Sequence, residues 1–252
     1  MPLPVRPGER LHFGNPPIVE AAIGISVSRL PETFFKPLKD LALSAESVYA
    51  SPTPLHQNRF QMTIQEGQST ASTLDEPLGW RWESTDRLHV VQCKLDGFSF
   101  SRMGHYETWE TFTAEANRVW SIYLAAVGAV SFQRFGVRYI NKVYIPEGHE
   151  LSDFLNVYPK TPPGLLWGVN NSFMRLGMEI DVPLRGSFVH QHVLIPSDRK
   201  GFAAVILDND FQYSVDGPTN EDLWRNINSV RDVKDQYFLQ LVTERLAEGF
   251  DV

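Results

Sequence analysis

A single cysteine, Cys93, in 252 residues leaves no internal disulfide to form. That excludes a small secreted scaffold held by cross-links. No stretch approaches the roughly 18 consecutive apolar residues that a helical bilayer span needs. The start, Met1-Pro2-Leu3-Pro4-Val5-Arg6-Pro7-Gly8, has no apolar run behind a basic residue, so no secretory leader is expected. The reduced cytoplasm is the expected compartment, and the lone thiol suits it. Basic clusters are missing too, the nearest approach being Arg199-Lys200. The formal net charge is −7. A chain that neutralises many phosphates carries a basic stripe, so nucleic acid is disfavoured as a direct partner. Neither G-x-G-x-x-G nor G-x-x-x-x-G-K-[ST] occurs, so no common phosphate loop is present. No G-x-S-x-G elbow occurs either.

Apolar residues make up 42% of the chain and aromatics 12%, enough for a sizeable core and too many for intrinsic disorder. In Ile18–Ser28, Val19, Ala21, Ile23, Ile25 and Val27 alternate with Glu20, Ala22, Gly24 and Ser26, which is the period of a half-buried strand. Pro31 opens a short helix to about Leu43. Strands are expected at Arg59–Gln65, Gly79–Glu83 and Leu88–Arg102, then a long helix at Tyr106–Val127 with Trp109, Phe112, Ala116, Val119, Trp120, Tyr123 and Leu124 at helical spacing. Ser131–Ile145 reads as a strong strand and Leu151–Val157 as a short helix. Three further strands follow at Phe173–Val182, Gly186–Ile195 and Phe202–Ser214. A helix opens at Pro218-Thr219 and runs to about Leu246, with Leu223, Trp224, Ile227, Val230, Tyr237, Phe238, Leu241 and Val242 as its stripe.

The halves repeat this order. Leu95-Asp96-Gly97-Phe98-Ser99-Phe100-Ser101 and Leu207-Asp208-Asn209-Asp210-Phe211-Gln212-Tyr213-Ser214 each precede a Trp-bearing helix. The expectation is an α+β fold built from duplicated β-α-β-β-β-α units, about 18–127 and 131–246. Joined through their first strands, they would form one curved antiparallel sheet with two long helices on one face, a single pseudo-symmetric domain over 1–252.

Five strings occur in order: Asn15-Pro16-Pro17-Ile18-Val19-Glu20-Ala21; Gly79-Trp80-Arg81-Trp82; Asp96-Gly97-Phe98; Tyr106 with Trp109-Glu110 and Phe112; and Arg134-Phe135-Gly136-Val137-Arg138-Tyr139-Ile140-Asn141. Together they resemble a sporadically distributed family of bacterial proteins of similar length with no known activity. The resemblance implies a bacterial origin and single-domain extent, hints at mobile or host-defence loci, and carries no site or cofactor.

Candidate site residues come from face assignment. Glu20 and Arg138 both fall opposite the apolar faces of their strands, and the duplication would set those strands side by side. A carboxylate facing a guanidinium there is either a bridge that fixes register or an anchor for a ligand. Trp80 and Trp82 share a strand face and are core or a stacking platform. Trp167 follows the breaker Thr161-Pro162-Pro163-Gly164 and is either a partner-facing aromatic or a fold-back onto the core. His190 and His192 share a face of one strand, a spacing compatible with a transition metal if Glu179 or Asp181 supplies a third ligand. Without one they are ordinary strand residues. Asp208, Asp210 and Asp216 have the wrong spacing for a calcium loop. Cys93 alternates with Val91 and Leu95 and reads as an inert core thiol.

The leading expectation is a non-catalytic binding or regulatory protein, without metal or cofactor, that recognises a protein or small ligand through the open sheet face. The alternative is a metal-dependent hydrolase centred on His190 and His192.

Overall fold

The computed structural model describes residues 13–43, 48–65, 68–160, 171–215 and 219–250, with backbone alone at 58–65 and 68–74. Among the described residues nine strands form one antiparallel sheet. They are β1 (Ile18–Val27), β2 (Thr53–Gln65), β3 (Gln68–Glu83), β4 (His89–Lys94), β5 (Gly97–Met103), β6 (Phe132–Pro146), β7 (Ser172–Ile180), β8 (Gly186–Ile195) and β9 (Phe202–Ser214). Their order across the sheet is β2-β3-β4-β5-β1-β6-β9-β8-β7. The α-helices are α1 (Phe35–Lys39), α2 (Trp109–Val127), α3 (Asn220–Leu241) and α4 (Glu244–Ala247). The architecture is therefore mixed α+β and mostly sheet.

Period-two alternation decides which face of each strand is covered. In β1, Ala21, Ile23, Ile25 and Val27 are buried, while Glu20, Ala22, Gly24 and Ser26 lie on the other face. Their inward neighbours are Phe98 and Phe100 of β5 and Phe135, Val137 and Tyr139 of β6. The same core takes in Trp109, Phe112, Trp120 and Tyr123 from α2 and Leu223, Trp224, Ile227 and Val230 from α3. Each such large side chain contributes about 1.5–3 kcal/mol on full burial. A smaller cluster joins Val143 and Ile145 of β6, Val205 and Leu207 of β9, and Leu241, Val242 and Leu246 near the end of the chain.

Local chemistry sets the helix ends. Thr108 caps α2, accepting from the Thr111 amide at 3.1 Å, and Gly128 closes it with φ +77°. Thr219 caps α3, accepting from the Asp222 amide at 3.1 Å. The two helices are tied by Trp109 Nε1, which donates to Asn228 Oδ1 at 2.9 Å, and by Trp120 Nε1, which donates to Asn220 Oδ1 at 2.7 Å.

Several boundaries differ from those expected. The stretch Leu88–Arg102 is a hairpin, because Leu95-Asp96 turns the chain before Gly97. The first half therefore supplies four strands after its short helix, and the second half three. Long β2 and β3 pair from Thr53↔Arg81 to Gln65↔Gln68, with a register shift at Leu55/His56 that accommodates the prolines 54 and 77. The helix expected at Leu151–Val157 is only a 3-10 turn, Leu151–Asp153. The last helix breaks at Val242, which bridges to Leu155, and Thr243 Oγ1 donates to the Asp153 carbonyl at 2.8 Å before α4 begins.

Candidate functional site

A recess of about 180 Å³ opens between β6, β9, the first turn of α2, the middle of α3 and the segment Phe13–Ile18. That volume is far above the roughly 10–15 Å³ one water needs. Tyr139 and Asn141 reach it from the covered face of β6, and Asn209 from β9, directly across from Tyr139. Tyr106 and Trp109 come from the run into α2, which the Thr108 cap holds in place.

Lys234 is its most unusual lining residue. It lies one helical turn beyond Val230, on the stripe that α3 turns toward the sheet, at a place where a hydrophobe would ordinarily sit. Its side chain is only 10% exposed and its ammonium donates to the Asp235 carboxylate. The nitrogen stands 4.4 Å from the Tyr139 ring centroid and 5.5 Å from that of Trp109, a cation over two aromatic faces. Burial pulls its pKa below that of an ordinary lysine, and the Asp235 carboxylate opposes the change. One turn earlier, Arg231 pairs with Glu110 of α2 at the rim.

The Tyr106 and Tyr139 hydroxyls are 2.9 Å apart. Burial raises both phenol pKa values, so both stay protonated at neutral pH. They offer hydrogen bonds and aromatic surface rather than a base. Asn141, 3% exposed, donates to the Leu207 carbonyl only at 3.5 Å, the long limit of a hydrogen bond. Asn209 Oδ1 is 2.8 Å from His190 Nδ1, which gives that nitrogen the proton. The recess thus combines two cations, three carboxylates, of which Asp235 and Glu110 are paired with Lys234 and Arg231, two neutral phenols, two amides and an indole.

The residues singled out from sequence are placed elsewhere. β1 and β6 are adjacent, but Arg138 stands across from Ala22, and Glu20 from Ile140. No ion pair joins Glu20 to Arg138. Arg138 instead forks onto Asp208 of β9, with Nε to Oδ1 at 2.8 Å and Nη2 to Oδ2 at 2.7 Å. Gln191 of β8 donates to the same carboxylate at 2.9 Å. The guanidinium is therefore held by the Asp208 carboxylate, which meets two of its nitrogens, and Glu20 acts on it only through its charge.

Trp80 and Trp82 belong to the core. Trp80 Nε1 donates to the Phe35 carbonyl at 2.7 Å, and Trp82 is fully buried. Trp167 and Asp216 lie outside the described residues. His190 and His192 point inward and are fully buried, whereas Glu179, two places beyond Gly177, lies on the opposite face of β7 from Leu176, the residue across from His190. Asp181 is exposed beyond the end of β7. Among the described residues no group of three His, Cys, Asp or Glu is arranged to hold a metal ion. Cys93 is buried, and burial pushes its thiol pKa up, which keeps it unreactive. No described helix is long and apolar enough to cross a membrane.

Sequence reasoning passed over Lys234, Tyr106 and Tyr139 as site residues. The signal for Lys234 was there: a lysine at the place where the run Ile227, Val230, Tyr237, Leu241 calls for an apolar residue. No known family model matches the chain, and no curated protein is significantly similar to it.

Proposed function

We propose that this chain is a non-catalytic binding or regulatory protein whose ligand is a small organic acid with an apolar body, held in the recess at Lys234. The observation that carries the reading is the nine-tenths-buried ammonium laid over Tyr139 and Trp109. Placing a cation there is costly unless it is partnered. Its present partner, Asp235, is a half-buried carboxylate on the next residue. An incoming carboxylate can take over that contact from inside the recess, with Arg231, now paired with Glu110, among the same lining residues. The aromatic rings then cover the apolar body.

The halves support a second aspect of this reading. Outward from the central β1–β6 pair the order is β5-β4-β3-β2 on one side and β9-β8-β7 on the other, so the halves match up to the extra strand β2, and each half ends in a long helix. We read this as duplication within one pseudo-symmetric domain, with the recess between non-equivalent parts of the two copies of the long helix. We place the chain in the cytoplasm, a reading that the lone, buried thiol supports.

The test compares phenylacetate with phenylacetamide by Trp fluorescence and thermal shift, on the intact chain and on Lys234→Met. The acid should bind more tightly than the amide, and Lys234→Met, which keeps the apolar stem, should weaken the acid about tenfold to a hundredfold. Equal binding of acid and amide, or of both proteins, overturns the reading.

A further inference from the structure

Strand β7 ends the sheet, and among the described residues nothing pairs with its outer edge. Natural edge strands are usually blunted by lysine, proline, a bulge or short length. β7 contains neither Lys nor Pro, its register with β8 runs without a shift from Ser172↔Leu194 to Ile180↔Gly186, and its charges are one of each sign, Arg175 and Glu179. Exposed apolar side chains gather here. Phe173 is 63% exposed, Leu176 37% and, just past the strand, Val182 64%.

The sequence of β7 is self-complementary about Gly177. When two copies run antiparallel with Gly177 facing Gly177, Leu176 meets Met178, Arg175 meets Glu179, and Met174 meets Ile180. The apolar pairs share the face on which Met178 and Ile180 already pack against the core. The charged pairs share the other face with Phe173, which stands opposite Asp181 just past the end of the partner strand. Two opposite-charge contacts form per dyad, and among the described residues neither Arg175 nor Glu179 is in an ion pair within its own chain. Shifting this register by one residue would set charges opposite apolar side chains. At the centre, the position of a Cβ on Gly177 meets nothing within 4 Å, so that face of the strand is open at the dyad.

We infer that β7 is a dimerisation edge, at which a second copy of this chain adds its own β7 antiparallel and extends the sheet across a two-fold axis. Charge complementarity selects the second copy as occupant. The register pairs each strand's cation with the other's anion, and an unrelated strand has no reason to carry that pattern.

Sedimentation velocity or light scattering over a concentration series tests this with three preparations: the intact chain, Arg175→Glu and Glu179→Arg. The intact chain should dimerise. Each charge reversal places like charges opposite one another at both contacts and should weaken association by about tenfold or more. An equimolar mixture of the two variants restores both opposite-charge contacts and should re-form a heterodimer. Unchanged circular dichroism and melting of each variant alone show that the fold is intact. A monomeric intact chain, a dimer insensitive to either reversal, or dissociation by both without rescue in the mixture overturns the inference.

Discussion

Breaking the Arg138–Asp208 fork should be asymmetric. Asp208 is 8% exposed and Arg138 44%, so the two partners lose unequal amounts when the other is removed. Replacing Arg138 with Ala strands a buried carboxylate whose remaining side-chain donor is Gln191, at 2.9 Å. A fully buried orphan charge costs about 3–5 kcal/mol and an exposed pair is worth about 0–1 kcal/mol. With Asp208 near the first limit and one amide still engaged, Arg138→Ala should cost about 2–3 kcal/mol. Asp210 adds to this, because burial already pushes its carboxyl pKa up and Arg138 is among the groups that oppose the rise. Replacing Asp208 with Ala leaves a guanidinium that is half in water and can turn outward, so the loss should be about 1 kcal/mol. The double variant should lose less than the two singles together, by about 1 kcal/mol, since the second removal no longer strands anything. Urea unfolding followed by circular dichroism, with the dependence on denaturant held common to all four proteins, measures each quantity. Equal single losses that add within about 0.3–0.5 kcal/mol in the double variant would refute the reasoning and make the fork a surface pair.

Two other perturbations have defined outcomes. Burial, and after it the neighbouring His190, pushes the His192 pKa down from 6.5 to about 4. An unfolded imidazole takes its proton near pH 6.5 but the folded one only near pH 4, so this contribution is intact above pH 6.5 and gone by about pH 4. The loss is about 3 kcal/mol, and His192→Leu should flatten the fall in melting temperature across that window; a profile of unchanged steepness would count against it. Gly97→Ala should cost about 1–3 kcal/mol in the same urea assay, because the added Cβ would meet the Ile25 carbonyl oxygen at 2.4 Å where β5 lies against β1. A loss no larger than an ordinary surface substitution would show that the strands can part without penalty.

Much of the scaffold was legible from local pattern. Alternation in Ile18–Val27 assigned inward and outward faces residue by residue, and the burial of Ala21, Ile23, Ile25 and Val27 follows it. The stripe from Trp109 to Tyr123 did the same for α2, because side chains three and four apart share one side of a helix. Such patterns are read within one element, where the period of the backbone alone decides which residues point together. Boundaries failed where a distant contact intervened: α3 stops at Leu241 because Val242 is claimed by Leu155, some ninety residues away.

The sites were another matter. Alternation placed Arg138 on the open face, yet its partner depends on which strand lies on each side. β6 has Glu20 on one neighbouring strand and Asp208 on the other, and only the staggered register with β9 gives the fork. Lys234 makes the same point for the recess. Its place in the apolar stripe of α3 was written in the sequence, but the aromatic rings beneath it come from β6 and from α2, brought together by the order of strands and the packing of the two helices. Periodicity by itself determined which side chains face inward. What they meet there is a non-local quantity, decided by strand order, register and helix packing, and only the tertiary structure supplies it.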